Sequence, residues 1–391
     1  MSRYAFLVLP SHNRVYADAA PSLARAELAV LAAALPDGRI SVGSIAETVT
    51  GGVPYVTFEA DGLSQRDAAL LANLSALYAL FELTVPAASA SGESRPGTGN
   101  GAEGGELLRP VPLRRLDRYD DDLLTILKYP GKTNEQFTRL LLNVTLAASD
   151  FAGEPGSRRL TVLDPLCGRG TTLNQALMYG FDAWGSDIDG RDIEAYAVFI
   201  QRWLKDKRLK HQAGFSPVRH DRRIVARRLH AEFAATKDEY KAGDVQHLEV
   251  VEADTTRIGE FFRPGSADLV VTDLPYGVQH ASQTSARAQP AARSRPAGRG
   301  QPAARTSRSE LARSPLDLLT AAAPAWARAL RPGGALGISW NTHVARREDA
   351  AEALAAAGLD VLDEPPYQGF RHRVDQAITR DVLIARKPPP R

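Results

Sequence analysis

Two stretches of the chain carry residue types that can do chemistry. The first is Leu163-Asp164-Pro165-Leu166-Cys167-Gly168-Arg169-Gly170-Thr171-Thr172, between an apolar, β-branched run (159–163) and a helical pattern stopped by Gly180. A strand, a glycine turn and a helix N-terminus bring backbone N–H groups close to a ligand at a strand's carboxyl end. The second is Thr272-Asp273-Leu274-Pro275-Tyr276-Gly277, after another buried-strand pattern. The Asp273 carboxylate and the Leu274 carbonyl form an acceptor pair that can grip both N–H bonds of a planar amino group. Such a nitrogen is a poor nucleophile because its lone pair is conjugated, so what the pair offers is alignment for in-line group transfer. Asp273 can also take up a released proton. Pro275 fixes the turn, and Tyr276 can stack on a base swung out of its helix.

The glycine turn excludes two ligands. A dinucleotide fingerprint needs a third glycine where Leu173 stands, and the Gly-Lys-Ser/Thr end of a phosphate loop is absent from this turn. An Asp at the strand end before a short Gly-x-Gly turn resembles the first motif of class I S-adenosylmethionine-dependent methyltransferases. The competing reading is a packing turn in an unrelated α/β protein. Four acids, Asp164, Asp187, Asp254 and Asp273, stand at successive strand ends, where open α/β sheets hold their ligands. An acid after the second strand accepts both ribose hydroxyls, a role assigned to Asp187, with Asp189 its neighbour. Asp254 would face the adenine; Asp164, Gly168 and Gly170 would border the methionine part. Cys167 and Thr171 complete that turn, Cys167 as a small packing residue. Strand-end acids that merely cap and solvate are the alternative.

The Asp-Leu-Pro-Tyr stretch resembles the Asp/Asn-Pro-Pro-Tyr motif of methyltransferases acting on exocyclic or amide nitrogens. With Asp164-Pro165-Leu166-Cys167-Gly168-Arg169-Gly170-Thr171 before it, the chain resembles the THUMP-associated RNA guanine-N2 methyltransferases, which include archaeal and eukaryotic tRNA enzymes. The likeness covers about residues 124–387; Ala26-Glu27-Leu28 adds a weaker one. Leu274 stands where that family more often has Pro, and the region before residue 86 is short for a ferredoxin-like plus THUMP pair. The resemblance implies an S-adenosylmethionine-dependent enzyme methylating guanine N2 in a structured RNA, foremost tRNA, through Asp273, Leu274, Pro275 and Tyr276. Alternatives are an amino-methyltransferase on adenine in DNA or rRNA or on a protein glutamine, and a noncatalytic RNA-binding protein.

The elements that must position these residues fit a chain of 391 residues, 44% hydrophobic, long enough for a large and a small domain. Net charge is +2, which by itself names no partner. A single Cys excludes an internal disulfide and a Cys-based zinc cluster; no metal is expected, and a reducing cytoplasm fits. The apolar start is halted by Pro10, too short for a signal peptide, and no apolar run spans a bilayer. Nothing sets an oligomeric state.

Residues 1–85 read as a small α+β domain, ferredoxin-like or THUMP-like: a strand (4–9), a helix opened by Pro21 (20–35), a hairpin (40–48 and 53–58) and a second helix (65–83). Residues 86–110 read as a flexible linker. Residues 111–391 alternate β and α and end in an antiparallel hairpin, the pattern of a doubly wound, mostly parallel, seven-stranded class I methyltransferase sheet. Thr133 with Gln136 reads as a capping box. Within the long connection 205–241, the basic stretch 205–228 is a solvated helix face or a phosphate track. The Arg-rich, low-complexity stretch 281–313 reads as a disordered insertion beside the substrate mouth. Phe370-Arg371-His372-Arg373, in the final hairpin at the sheet edge, reads equally as an RNA contact or an exposed turn.

Overall fold

A computed structural model describes residues 1–11, 13–35, 38–84, 106–276 and 314–389. The Arg-rich stretch 281–313, Gly277 and most of the expected linker lie outside the described residues. The first sheet is antiparallel and holds β1 (Ser2–Val8), β2 (Ala46–Thr50), β3 (Val53–Ala60), β4 (Leu77–Thr84) and β5 (Leu107–Val111) in the order β2-β3-β1-β4-β5. It carries the helices α1 (Arg14–Ala34) and α2 (Gln65–Leu71).

Three expectations change here. The first helix starts about two turns earlier than read, capped by Asn13, whose Oδ1 accepts from Tyr16 N at 3.2 Å; Pro21 lies inside it. The second helix stops at Leu71, and Leu77–Thr84 is a strand instead. That segment pairs with β1 on one side and β5 on the other, and two ladders override a weak helical pattern. Residues 107–110 leave the linker and Val111 leaves the expected second domain to form an edge strand of the first sheet, where Pro110 is tolerated because one side needs no donor.

The second sheet follows α3 (Asp122–Thr125) and α4 (Glu135–Ala148). Its elements are β6 (Thr161–Asp164), α5 (Thr171–Met178), β7 (Asp182–Asp187), α6 (Gly190–Asp206), β8 (His211–His220), β9 (Arg223–Phe233), α7 (Lys237–Ala242), β10 (Gln246–Glu252) and β11 (Ala267–Asp273). After the undescribed stretch come α8 (Pro315–Ala329), β12 (Leu330–Asn341), α9 (Arg347–Ala356), β13 (Asp360–Leu362), β14 (His372–Arg373) and β15 (Thr379–Arg386). The strand order is β13-β15-β12-β11-β6-β7-β10-β9-β8, with β14 on β15. β10, β7, β6, β11 and β12 are mutually parallel; each flanking strand is antiparallel to the neighbour it pairs with. The sheet is therefore mixed and ten-stranded, not seven-stranded and mostly parallel.

Two of the three extra strands, β8 and β9, come from the long connection that holds the basic stretch, where residues 211–233 form a β-hairpin instead of a helix face; the third is β14. Ala226, Leu229, Ala231 and Phe233 are buried, with a strict period of two from Leu229 on. The final turn also differs: Phe370 and His372 are buried, and the His372 ring meets Tyr16 of α1 edge-on at 5.9 Å. Only Arg371 and Arg373 of that stretch face outward.

One apolar core runs from α1 and the first sheet through α4 (Phe137, Leu140, Leu141, Val144) into the second sheet. Buried Glu27 joins the two halves, accepting from Ser75 N and Oγ and from Asn143 Nδ2 of α4. Among the described residues no helix is long and apolar enough to cross a membrane. The chain passes from β6 through β7 to β10, then crosses back to β11 on the other side of β6. The β6/β11 boundary is thus the switch point, where a ligand crevice opens at the carboxyl ends.

Candidate active site

The tips of β6 and β11 touch. Val270 is in register with Leu163, and Thr272 Oγ1 donates to Asp164 Oδ1 at 2.7 Å. A cavity of about 920 Å³ opens there. Its wall includes Asp164, Cys167, Gly168, Thr171, Asp187, Asp254, Asp273, Leu274, Pro275 and Tyr276.

Gly170 is not in that wall. It sits behind it at the start of α5, with φ +79°, and a Cβ there would stand 2.5 Å from the Tyr196 ring. Gly168, with φ +47°, has open space where a Cβ would project, and its N–H donates to Asp187 Oδ2 at 2.8 Å. Asp187 also accepts from Asp189 N at 2.9 Å, so it ties the glycine turn to the tip of β7. Burial raises its pKa above the usual carboxylate value. Asp189 turns away to cap α6 and pair with Arg191. Asp254 caps the short 3₁₀ turn Thr255–Glu260, accepting from Thr256 N and Oγ1 at 2.8 and 2.7 Å. Asp164 is buried, and desolvation pushes its carboxyl up to about 7. The buried Cys167 thiol is likewise raised, which suits a packing residue.

The Asp273 carboxylate is held by four side chains. Ser339 Oγ donates to Oδ1. Thr133 Oγ1 at 2.7 Å, Arg380 Nη2 at 3.4 Å and the Tyr276 hydroxyl donate to Oδ2. The helix-capping role expected of Thr133 falls to Asn134, whose Oδ1 accepts from Phe137 N at 3.1 Å. Arg380 is 3% exposed; its guanidinium lies 4.3 Å over the Phe137 ring and 5.1 Å over the Tyr276 ring. Leu274 is buried and its N–H donates to Ser339 O at 2.8 Å, while Pro275 is exposed. Tyr276 folds inward onto Asp273 rather than outward, and burial beside that carboxylate raises its phenol.

Sequence reading missed Ser339, Arg380 and Tyr129. The Tyr129 hydroxyl is 2.9 Å from Thr171 Oγ1, and Arg169 lies 5.0 Å over its ring. Ser339 and Arg380 reach Asp273 only through the pairing of β12 with β11 and β15. No local signal marks them. The arrangement can present a clamped carboxylate and a peptide carbonyl to a planar amino group, beside a glycine turn able to take a second ligand.

No family model and no curated protein matches the chain. Among solved structures the chain is similar to TrmN from Thermus thermophilus at 12% identity over 99% of this chain and 100% of that one, with TM-score 0.39. It is similar to a TehB-like SAM-dependent methyltransferase from Corynebacterium glutamicum at 14% identity over 59% and 82%, TM-score 0.31. An rRNA methylase from Streptococcus thermophilus gives 10% identity over 61% and 93%, TM-score 0.30.

Proposed function

We propose that the chain is an S-adenosylmethionine-dependent methyltransferase acting on an exocyclic amino group of an RNA base, guanine N2 in tRNA first. One observation carries this reading: the clamped Asp273 and the glycine turn after β6 share one cavity at the switch point. The residues present suit the cofactor. Gly168 leaves the wall open where a side chain would stand, and the Asp187 and Asp254 carboxylates can accept from ribose and adenine. Buried Asp164, raised to about 7, gains most from a cationic amino group beside it. Cys167, Gly170 and Thr171 shape the turn. When bound, S-adenosylmethionine supplies an electrophilic methyl on sulfur.

The chain's own residues orient the acceptor nitrogen. Asp273 and the Leu274 carbonyl take its two N–H bonds and aim its lone pair. The Tyr276 hydroxyl yields its place on Asp273 to the incoming amino group, and its ring turns to stack on the base. Thr133, Ser339 and Arg380 keep the carboxylate from rotating, and the proton shed by the methylated nitrogen passes to it.

The test is transfer of labelled methyl to bulk tRNA, with mass analysis of the nucleosides, in wild type and Asp273→Ala. The expected product is N2-methylguanosine, reduced roughly 10²-fold or more in the variant. Label on adenine or on protein glutamine moves the reading to those substrates. Binding of S-adenosylhomocysteine without transfer to any RNA favours a noncatalytic RNA-binding protein, and undiminished transfer by Asp273→Ala overturns the mechanism.

A further inference from the structure

A second cavity, of about 720 Å³, lies beside the first, and Tyr129 and Thr133 stand in the walls of both. It lies where α1 meets α3, α4, α5 and the β14–β15 edge. Four deeply buried side chains of its wall carry polar atoms with no protein partner: the Tyr16 hydroxyl, both ends of the Gln175 carboxamide, Nε2 of His372 and Nε of Arg380. These residues are 4%, 1%, 6% and 3% exposed. Buried polar atoms are nearly always partnered, so a group of them in one wall points to a ligand.

Their chemistry specifies its kind. His372 Nδ1 lies 2.8 Å from the Phe370 carbonyl, so it carries the proton and Nε2 accepts. Burial pushes this imidazole down to about 4, which keeps it neutral. Arg380 Nε donates, and Gln175 offers one donor and one acceptor end. Mixed donors and acceptors beside the rings of Tyr16 and Tyr129 match the edge and face of a nucleobase. The rim is cationic: Arg115, Lys128 and Arg373 are exposed there, and of the acids in the wall, Asp121 and Glu135, the second is paired with Lys132. Arg380 serves both cavities, with Nη2 on Asp273 in the first and Nε in the second.

We infer that the second cavity binds a nucleotide flanking the target in the same RNA strand. Its base lies against Gln175, His372 and Arg380, and its phosphates lie at Lys128, Arg115 and Arg373. This rests on the RNA reading above.

The experiment compares wild type, Gln175→Ala and the rim variant Lys128→Ala/Arg373→Ala on tRNA, with S-adenosylhomocysteine binding as the control for folding. Crosslinking to tRNA carrying 4-thiouridine is mapped by peptide mass. We expect KM for tRNA to rise about tenfold in each variant with kcat at saturation and S-adenosylhomocysteine affinity unchanged. The rim variant should lower the salt slope of RNA binding by about 2. Crosslinks should fall on α1 or on residues 370–374. Unchanged KM in both variants, or crosslinks confined to other surfaces while methylation proceeds, overturns the flanking site and leaves the proposed activity standing. Absence of methyl transfer from wild type to any RNA removes both.

Discussion

At the scale of single residues the telling feature is a carboxylate with no slack. Ser339 and Thr133 each fix one oxygen of Asp273, and Arg380 closes the ring from behind. A hydrogen bond to a charged group is worth about 1.5–3 kcal/mol, and here it buys orientation. Ser339→Ala removes one clamp without touching the cofactor turn. We expect kcat to fall about tenfold, with KM for RNA and S-adenosylhomocysteine affinity unchanged. Steady-state kinetics check this, and an unaltered kcat would show that the carboxylate needs no such clamp. Ser339→Thr, which keeps the hydroxyl, should recover part of the loss.

At the scale of elements, what the sequence made legible was what depends on near neighbours. Gly168 and Gly170 marked the turn because both take a positive φ there, which glycine adopts without steric cost. Asp164, Asp187, Asp254 and Asp273 marked strand ends, and all four line one cavity. Ser339, Arg380 and Thr133 meet Asp273 only after β12, β15 and the segment before α4 have packed, so no spacing in the chain records them. Leu77–Thr84 misled because its leucines suit a helix as well as a strand, and the ladders to β1 and β5 decide. The β8–β9 hairpin was hidden by its charge, although from Leu229 to Phe233 every second residue is buried. Its register has a consequence for RNA. Val251, near the carboxyl end of β10, faces Arg228, so residues 223–227 and the turn extend past the strand tips, on the side where the catalytic cavity opens. Arg219, Arg222 and Arg223 are exposed there, beside exposed Ile224 and Val225. Replacing the three arginines by glutamate should weaken tRNA binding at least tenfold and flatten its salt dependence, with S-adenosylhomocysteine affinity unchanged. Filter binding across a salt series checks this; an unchanged slope assigns the phosphates to other surfaces.

At the scale of the whole molecule, the two sheets are joined through a buried carboxyl, and this gives the fold a pH dependence. Burial pushes Glu27 up to about 7, although Ser75 and Asn143 donate to it. Asp164 is pushed up to about 7 as well. An acid whose pKa is higher folded than unfolded holds more protons in the native state. Between the unfolded carboxylate value and about 7, stability therefore falls as pH rises, and the loss is complete above 7. His372 opposes this over part of the range: lowered to about 4, it favours the fold increasingly as pH rises from there towards its unfolded value. Two carboxyls outweigh one imidazole, so the thermal midpoint should be higher at pH 5.5 than at pH 8. Glu27→Gln copies the protonated acid in shape and cannot ionise, so it should narrow that gap chiefly by raising the midpoint at pH 8. Glu27 is not in the wall of the catalytic cavity, so methyl transfer at pH 8 should survive the change. Scanning calorimetry of both proteins at the two pH values decides the matter: a midpoint that climbs from pH 5.5 to 8, or a gap as wide in Glu27→Gln as in wild type, contradicts a protonation-linked join between the sheets.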